Sequence, residues 1–179
     1  ERTSVGGVRV EVASATYEEL RAVTFKDKGS EEGRSDLHVA LLEDYISVCK
    51  KYGKICVLEL KSNFTDEEIA RLCSIIEQLD YLDGVTFIAF NIENLKKVRT
   101  LYPEQPCQFL TGDVSDEMIA RLSELKMDLD VHYHALTKER VDAFHAAGIK
   151  INCWTVDNAA DGERLAEWGV DYITTNILE

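Results

Sequence analysis

Short apolar segments alternate with amphipathic helical segments from residue 55 onward, and this alternation constrains the fold more than any other feature. Six segments have the composition of strands: Ile55–Lys61, Val85–Phe90, Pro106–Leu110, Leu129–His132, Lys150–Val156 and Asp171–Thr175. After the first, they recur about every 21 or 22 residues. Such alternation is typical of βα units around a parallel sheet. The short spacing predicts an α/β fold of the (β/α)8 TIM-barrel type rather than an open doubly wound sheet.

The ends of the predicted helices are marked by residues that satisfy free backbone groups. Thr65 and Glu68 form a capping box, in which each side chain can bond the other residue's backbone N–H, so a helix is expected from there to about Gln78. Gly148 and Gly169 follow later helical segments, at the position that favours a left-handed residue. These residues separate helix from strand where the units require it.

The number of predicted strands is smaller than a closed barrel needs. A (β/α) barrel has eight strands and typically about 250 residues, whereas this chain has 179 residues. Its length favours one domain, 1–179. We interpret 1–40, with one short alternating run, a helix start at Thr16 and a polar Gly/Ser-rich loop, as an insertion-like segment, and 41–179 as the βα units. We therefore expect about six of eight units, with the two N-terminal units missing.

The charge of the chain limits its partners. It has 33 acidic and 20 basic residues, for a formal net charge of -13. This charge would repel a polyanion, so we expect no nucleic acid partner. A small anionic substrate would need a local counter-charge, such as a metal ion or a buried lysine.

The five cysteines are odd in number, widely spaced and mostly flanked by apolar residues, which favours buried free thiols over a metal or redox motif. Free thiols favour a reducing compartment, and we expect a cytoplasmic location, with a membrane-tethered or extracellular enzyme as the alternative. No apolar run approaches the roughly 20 residues of a membrane span.

The charged pair Glu59 and Lys61 is the first candidate site. Both side chains lie on one face of the strand segment ICVLELK, because strand side chains alternate with a period of two. Charges at the carboxyl end of a parallel strand are costly without compensation, and that end carries the active site in barrels. Glu59 could bind Mg²⁺ or Ca²⁺ while Lys61 faces an anionic substrate oxygen. The alternative is an internal ion pair between them, or two solvated groups.

Other candidates are weaker. Trp154 shares a face with Asn152 near a strand end and is either a pocket wall or core. His132 and His134 could offer imidazoles to a metal or a proton, but a structural or exposed role is favoured. Nucleotide-binding loops and the common hydrolase motifs do not occur.

A set of segments, in this order, resembles the glycerophosphodiester phosphodiesterase family: TYEEL, LLEDY before KYGK, LELK, VTFIAFN, NCWTVDN and GVDYITTNILE. The resemblance runs along nearly the whole chain and implies a barrel like that of phosphatidylinositol-type phospholipases. It also implies metal-dependent hydrolysis of small glycerophosphodiesters to glycerol 3-phosphate and an alcohol, in lipid and glycerol metabolism.

The resemblance gives individual residues their roles. By similarity to the family's E-x-K motif, Glu59 binds the divalent metal, Mg²⁺ or Ca²⁺, and the catalytic Lys61 faces the phosphate. Trp154 matches the family's tryptophan at the barrel mouth, and Phe90 matches its S-F strand end, so both are expected to bind substrate. Ala89 stands where serine is common, and Ala40 where a proline is usual.

The family's H-R-G, E-x-D and H-D motifs do not occur in this sequence. They supply its general acid and base and the remaining metal carboxylates. The resemblance thus implies that the chain carries only the C-terminal part of an active site and needs a complementing N-terminal segment. The alternative is a non-catalytic barrel fragment that binds a partner or forms a homo-oligomer through open sheet edges.

Overall fold

A computed structural model describes residues 2–5, 8–12, 14–26 and 33–177 of the chain. Its contacts divide the chain into two compact units, Glu1–Tyr45 and Ile46–Glu179. The predicted single domain and the division after residue 40 stay predictions.

The first unit contains more strand than its sequence pattern suggested. Instead of one alternating run, β1 (Arg2–Val5) and β2 (Val8–Glu11) form an antiparallel pair, and β3 (Phe25–Lys26) pairs with β4 (Gly33–Arg34). Between the two pairs lies α1 (Tyr17–Arg21), whose capping box at Thr16 confirms the expected helix start.

The second unit is an alternation of strands and helices. The boundary between the two units falls within helix α2 (Leu42–Lys51), which comes before the first strand of the second unit. The strands are β5 (Cys56–Glu59), β6 (Val85–Ala89), β7 (Cys107–Thr111), β8 (Asp128–His132), β9 (Ile151–Trp154) and β10 (Tyr172–Ile173). The helices are α3 (Asp66–Gln78), α4 (Ile92–Leu101), α5 (Asp116–Leu125), α6 (Lys138–Ala146) and α7 (Ala159–Trp168).

The six strands form one parallel sheet in the order β10-β9-β8-β7-β6-β5. Strands that follow each other in the chain are neighbours in the sheet, as in a barrel wall. The sheet is curled, so side chains from β5 and β8 line one cavity although two strands lie between them. The predicted α/β barrel architecture is confirmed as a curled six-stranded half-barrel with its helices.

The two faces of the sheet differ in character. Phe87 of β6, Leu129 of β8 and Ile151 of β9 are fully buried, as are the helix residues Ile76 and Leu95. This packing buries the apolar side chains of the sheet and its helices in one core. The opposite, concave face carries the alternate residues of the same strands, which include the charged and polar groups of the candidate site.

Local sequence signals agree with the observed boundaries. Thr65 accepts a hydrogen bond from the Glu68 N–H at 3.2 Å, and its own N–H donates to the Glu68 carboxylate at 2.8 Å, which confirms the capping box. Gly148 and Gly169 have φ values of 76° and 87°. A residue with a Cβ would be strained at these angles, so glycine lets the chain turn from helix to strand.

All five cysteines are free and buried, as the sequence predicted. Burial raises the pKa of the Cys107 and Cys153 thiols to about 12, so both stay protonated and inert at neutral pH. The cytoplasmic location stays a prediction.

Candidate functional site

A cavity of about 330 Å³ opens at the carboxyl ends of the strands, where barrel active sites lie. We call it the mouth cavity, and it is lined by Glu59, Lys61, Ile88, Phe90, Leu110, Asp130, Trp154, Thr155 and Thr174. The four residues that the sequence singled out, Glu59, Lys61, Phe90 and Trp154, are therefore brought together from three different strand ends.

Glu59 and Lys61 form an ion pair at one side of this cavity. The Lys61 Nζ lies 3.5 Å from a Glu59 carboxylate oxygen, and the two side chains are 53% and 29% exposed. The internal ion pair considered as an alternative is thus present. A solvent-exposed pair contributes only about 0–1 kcal/mol to stability, so the pair adds little to the fold. A role for either residue in substrate or metal binding stays a prediction.

Aromatic side chains form the opposite wall. The Phe90 and Trp154 rings meet edge to face with centroids 5.9 Å apart, and His132 meets Trp154 in the same way at 5.0 Å. Phe90 is 59% exposed, which is unusual for a large apolar residue that serves only packing. The pair therefore presents an apolar surface to anything held by the ion pair.

The two histidines are held by ring packing at the rim. His132 stacks on His134 with centroids 5.2 Å apart, and Tyr133, between them in sequence, donates a hydrogen bond to Asp161 at 3.4 Å. His132 is half-buried and His134 is exposed, which fits the structural or exposed role that the sequence favoured for the two histidines together.

Asp130 is the residue that sequence reasoning missed. It lies on β8, is 2% exposed, and its Oδ1 has no hydrogen-bond partner among the described residues. Burial and then the nearby Glu59 carboxylate raise the pKa of Asp130 to about 7. The segment MDLDVH did contain the clue, because Asp128 and Asp130 alternate in an otherwise apolar strand, as Glu59 and Lys61 do.

This pKa predicts a pH dependence of stability. An unfolded aspartate ionises near its ordinary value of 3.8, whereas folded Asp130 keeps its proton up to about 7. Between these values the folded state binds more protons than the unfolded state, so stability falls as pH rises from about 4 to 7 and then levels. In urea unfolding across this range, the slope for the wild-type chain should be more negative than that for Asp130→Asn, by at most about 1.4 kcal/mol per pH unit. Equal slopes would contradict the assignment.

Below the mouth cavity, polar side chains bridge the strands. Asn152 of β9 donates to Gln108 of β7 at 3.1 Å and accepts a bond from Thr174 at 3.3 Å. Gln108 and Asn152 are both buried, and together the bonds join three parts of the concave face. Gln108 and Asn152 line a second cavity on this face, and Thr174 lines both cavities.

The chemistry of these residues fits a divalent metal only in part. Glu59 offers the hard oxygen donor that Mg²⁺ and Ca²⁺ prefer. However, the described ranges contain no group of three or more His, Cys, Asp or Glu side chains that could hold a metal ion. Glu59 therefore fits as one ligand of a larger set, and we derive no step through the metal.

Comparison with known proteins decides the family. The model of the glycerophosphoryl diester phosphodiesterase family matches residues 2–179. The chain belongs to this family.

Individual proteins that are similar to this chain agree with the family assignment. YqiK of Bacillus subtilis is 26% identical over 173 residues, which cover 94% of this chain and 71% of YqiK. A glycerophosphodiester phosphodiesterase of Parabacteroides distasonis is 28% identical, with a TM-score of 0.76 over 92% of this chain and 68% of that structure. A phosphodiesterase of Oleispira antarctica in complex with the product sn-glycerol-3-phosphate has a TM-score of 0.82 over 94% and 69%, and at 22% identity it shows the fold.

Helix lengths bear on membrane association. In the part of the chain that the structure describes, no helix combines the length and apolar character required to cross a bilayer.

Proposed function

We propose that this chain carries part of the active site of a metal-dependent hydrolase that cleaves glycerophosphodiesters to glycerol 3-phosphate and an alcohol. Membership of the family supports the reaction class. The observation that carries the proposal is the placement of Glu59 and Lys61 at the carboxyl end of β5, in one cavity with Phe90 and Trp154. A cation suits the phosphate of such a substrate, a carboxylate suits a divalent metal, and an apolar wall suits the carbon atoms of the alcohol.

The residues have distinct roles in this proposal. The Lys61 ammonium faces a phosphate oxygen and stabilises the negative charge that grows there during hydrolysis. The Glu59 carboxylate would hold Mg²⁺ or Ca²⁺ as one oxygen ligand of a larger set. When bound, such a metal neutralises phosphate charge and activates water. Phe90 and Trp154 contact the carbon atoms of the substrate.

Hydrolysis also needs a positioned acid and base. His132 stacks on His134 and meets Trp154 edge to face, and neither histidine lines the mouth cavity. The family's H-R-G, E-x-D and H-D motifs would supply these groups and more metal ligands, and they do not occur in the sequence. We therefore propose that the 179 residues alone are catalytically incomplete.

The test compares the chain alone with the chain joined to an N-terminal segment that carries the three motifs. Release of glycerol 3-phosphate from glycerophosphoethanolamine is measured with Mg²⁺, with Ca²⁺ and with a chelator. We expect metal-dependent release only by the joined protein. Release by the 179 residues alone would overturn the incompleteness, and a folded joined protein without activity would overturn the phosphodiesterase assignment.

A second function, a partner-binding or self-associating barrel fragment, is favoured by one observation. Ile55, Val57, Phe90 and Tyr172 are exposed apolar residues that line the two cavities of the concave face. Exposed apolar patches mark interaction surfaces. Light scattering after size exclusion distinguishes the cases, because a stable dimer supports association and a monomer at high concentration argues against it.

A further inference from the structure

Two buried polar atoms of the mouth cavity lack hydrogen-bond partners among the described residues. They are Asp130 Oδ1 and the indole Nε1 of Trp154. Leaving a buried polar group unsatisfied typically costs about 1–3 kcal/mol, and native proteins contain few of them. Both side chains line the same cavity, so a single ligand can reach them from it.

Strand pairing brings the two side chains close together. Asp130 pairs with Asn152 and His132 pairs with Trp154 in the parallel ladder between β8 and β9. Asp130 and Trp154 thus lie on one face as diagonal neighbours, and both line the mouth cavity. The charge of Glu59 also acts on Asp130, so the pair faces the end of β5 that carries Glu59 and Lys61.

The chemistry of the two atoms selects the kind of group that binds. An aspartate oxygen accepts a hydrogen bond and an indole N–H can only donate one. A hydroxyl does both, so it satisfies both atoms. An ammonium group has no lone pair for the Trp154 N–H, and a phosphate dianion has only acceptor oxygens and no proton to donate to Asp130.

We propose that Asp130 is a specificity-determining residue that binds a hydroxyl of the substrate's glycerol part, with Trp154 Nε1 donating to the same oxygen. This assignment rests on the proposed function, because it takes the mouth cavity as the substrate site. Lys61 faces the phosphate, and the glycerol carbons lie against the ring of Trp154. The protein then distinguishes a hydroxylated ligand from a deoxy ligand of the same charge.

The test measures binding rather than catalysis. The affinities of sn-glycerol 3-phosphate and n-propyl phosphate, which share the phosphate but differ in their hydroxyls, are determined calorimetrically for the 179-residue chain. We expect a preference for glycerol 3-phosphate of about tenfold or more, the cost of leaving one buried hydrogen bond unmade in the complex with the deoxy ligand. Any repulsion between Asp130 and the phosphate weakens the binding of both ligands equally, so it does not change the ratio of their affinities.

Variants then locate the preference. Asp130→Leu should abolish it while propyl phosphate still binds, and Asp130→Asn, which keeps an acceptor oxygen, should retain a part. Asp128→Asn is the matched control on the same strand. Its side chain accepts from the Lys150 N–H at 2.9 Å, and the amide oxygen of asparagine can keep that bond. This control should retain the full preference.

Several outcomes would overturn the proposal. The first is the absence of any preference in the wild type. The second is a preference that is unchanged in both Asp130 variants, which would mean that only a water bonds Asp130. The third is an equal loss of preference in Asp130→Asn and Asp128→Asn. Ethanolamine phosphate is the third probe, and a stronger preference for it would assign Asp130 to an ammonium group. If the joined protein hydrolyses the substrate but the preference is absent, only the role of Asp130 is refuted. If the preference is present but the joined protein does not hydrolyse the substrate, only the proposed phosphodiesterase function is refuted.

Discussion

Replacing Phe87 by alanine is expected to lower the free energy of unfolding by about 3–5 kcal/mol, the usual effect of removing a buried aromatic ring. Phe87 is fully buried on β6, the strand that joins β5 to the rest of the sheet. A domain is typically stable by only about 5–15 kcal/mol, so the variant should unfold at much lower urea concentration. Urea titration followed by circular dichroism measures the change.

Phe90→Ala is the matched control, because it removes the same ring three residues further along. Phe90 is mostly exposed at the mouth cavity, so its loss should cost about 1 kcal/mol or less. It should weaken ligand binding instead. Equal destabilisation by the two substitutions would show that Phe90 is a core residue and would remove it from the candidate site.

Glu59→Gln is expected to change ligand affinity in opposite directions with and without metal. In a chelator, the substitution removes a negative charge near the phosphate and releases Lys61 from its ion pair, so sn-glycerol 3-phosphate should bind a few-fold more tightly. With Ca²⁺ in excess, the variant of the joined protein, which carries the remaining metal ligands, lacks one oxygen ligand and should bind both the metal and the ligand more weakly. Calorimetric titration of the ligand under the two conditions tests this change of sign.

Lys61→Met provides the comparison for that experiment. It should weaken glycerol 3-phosphate binding by about tenfold or more under both conditions, because it removes a charged hydrogen-bond donor to the phosphate. Lys96→Met is the control, since Lys96 is paired with Glu93 on α4, outside the mouth cavity. If Glu59→Gln and Lys61→Met both left binding unchanged, the pair would be only the internal ion pair.

Regular features of the fold could be predicted from the sequence because they depend on neighbours in the chain. The alternation of apolar strands with amphipathic helices predicted the six parallel strands, and Thr65 and Gly148 marked helix ends. Such sequence signals are reliable because a few adjacent residues decide the backbone hydrogen bonds and φ values at a helix end. Strand ends were less exact, and β9 extends over Ile151–Trp154 rather than to Val156, because strand ends depend on pairing with other strands.

The first unit shows the limit of this approach. Its early residues read as one alternating run, but the structure places them in an antiparallel pair, β1 with β2. Hairpin pairing depends on how the chain turns back on itself, and a short run of alternating residues does not reveal its partner strand.

The charged pair Glu59 and Lys61 was determined by the sequence alone, because a period of two along one strand fixes which side chains share a face. The family motifs likewise indicated Phe90 and Trp154. Only the tertiary structure showed that Asp130 belongs with them. Its place in the mouth cavity follows from the curl of the sheet, which brings β8 to face β5. Its raised pKa follows from burial and the charge of Glu59, a residue 71 positions earlier in the chain. Long-range proximity of this kind arises from strand order and curvature, which no local pattern of residues encodes.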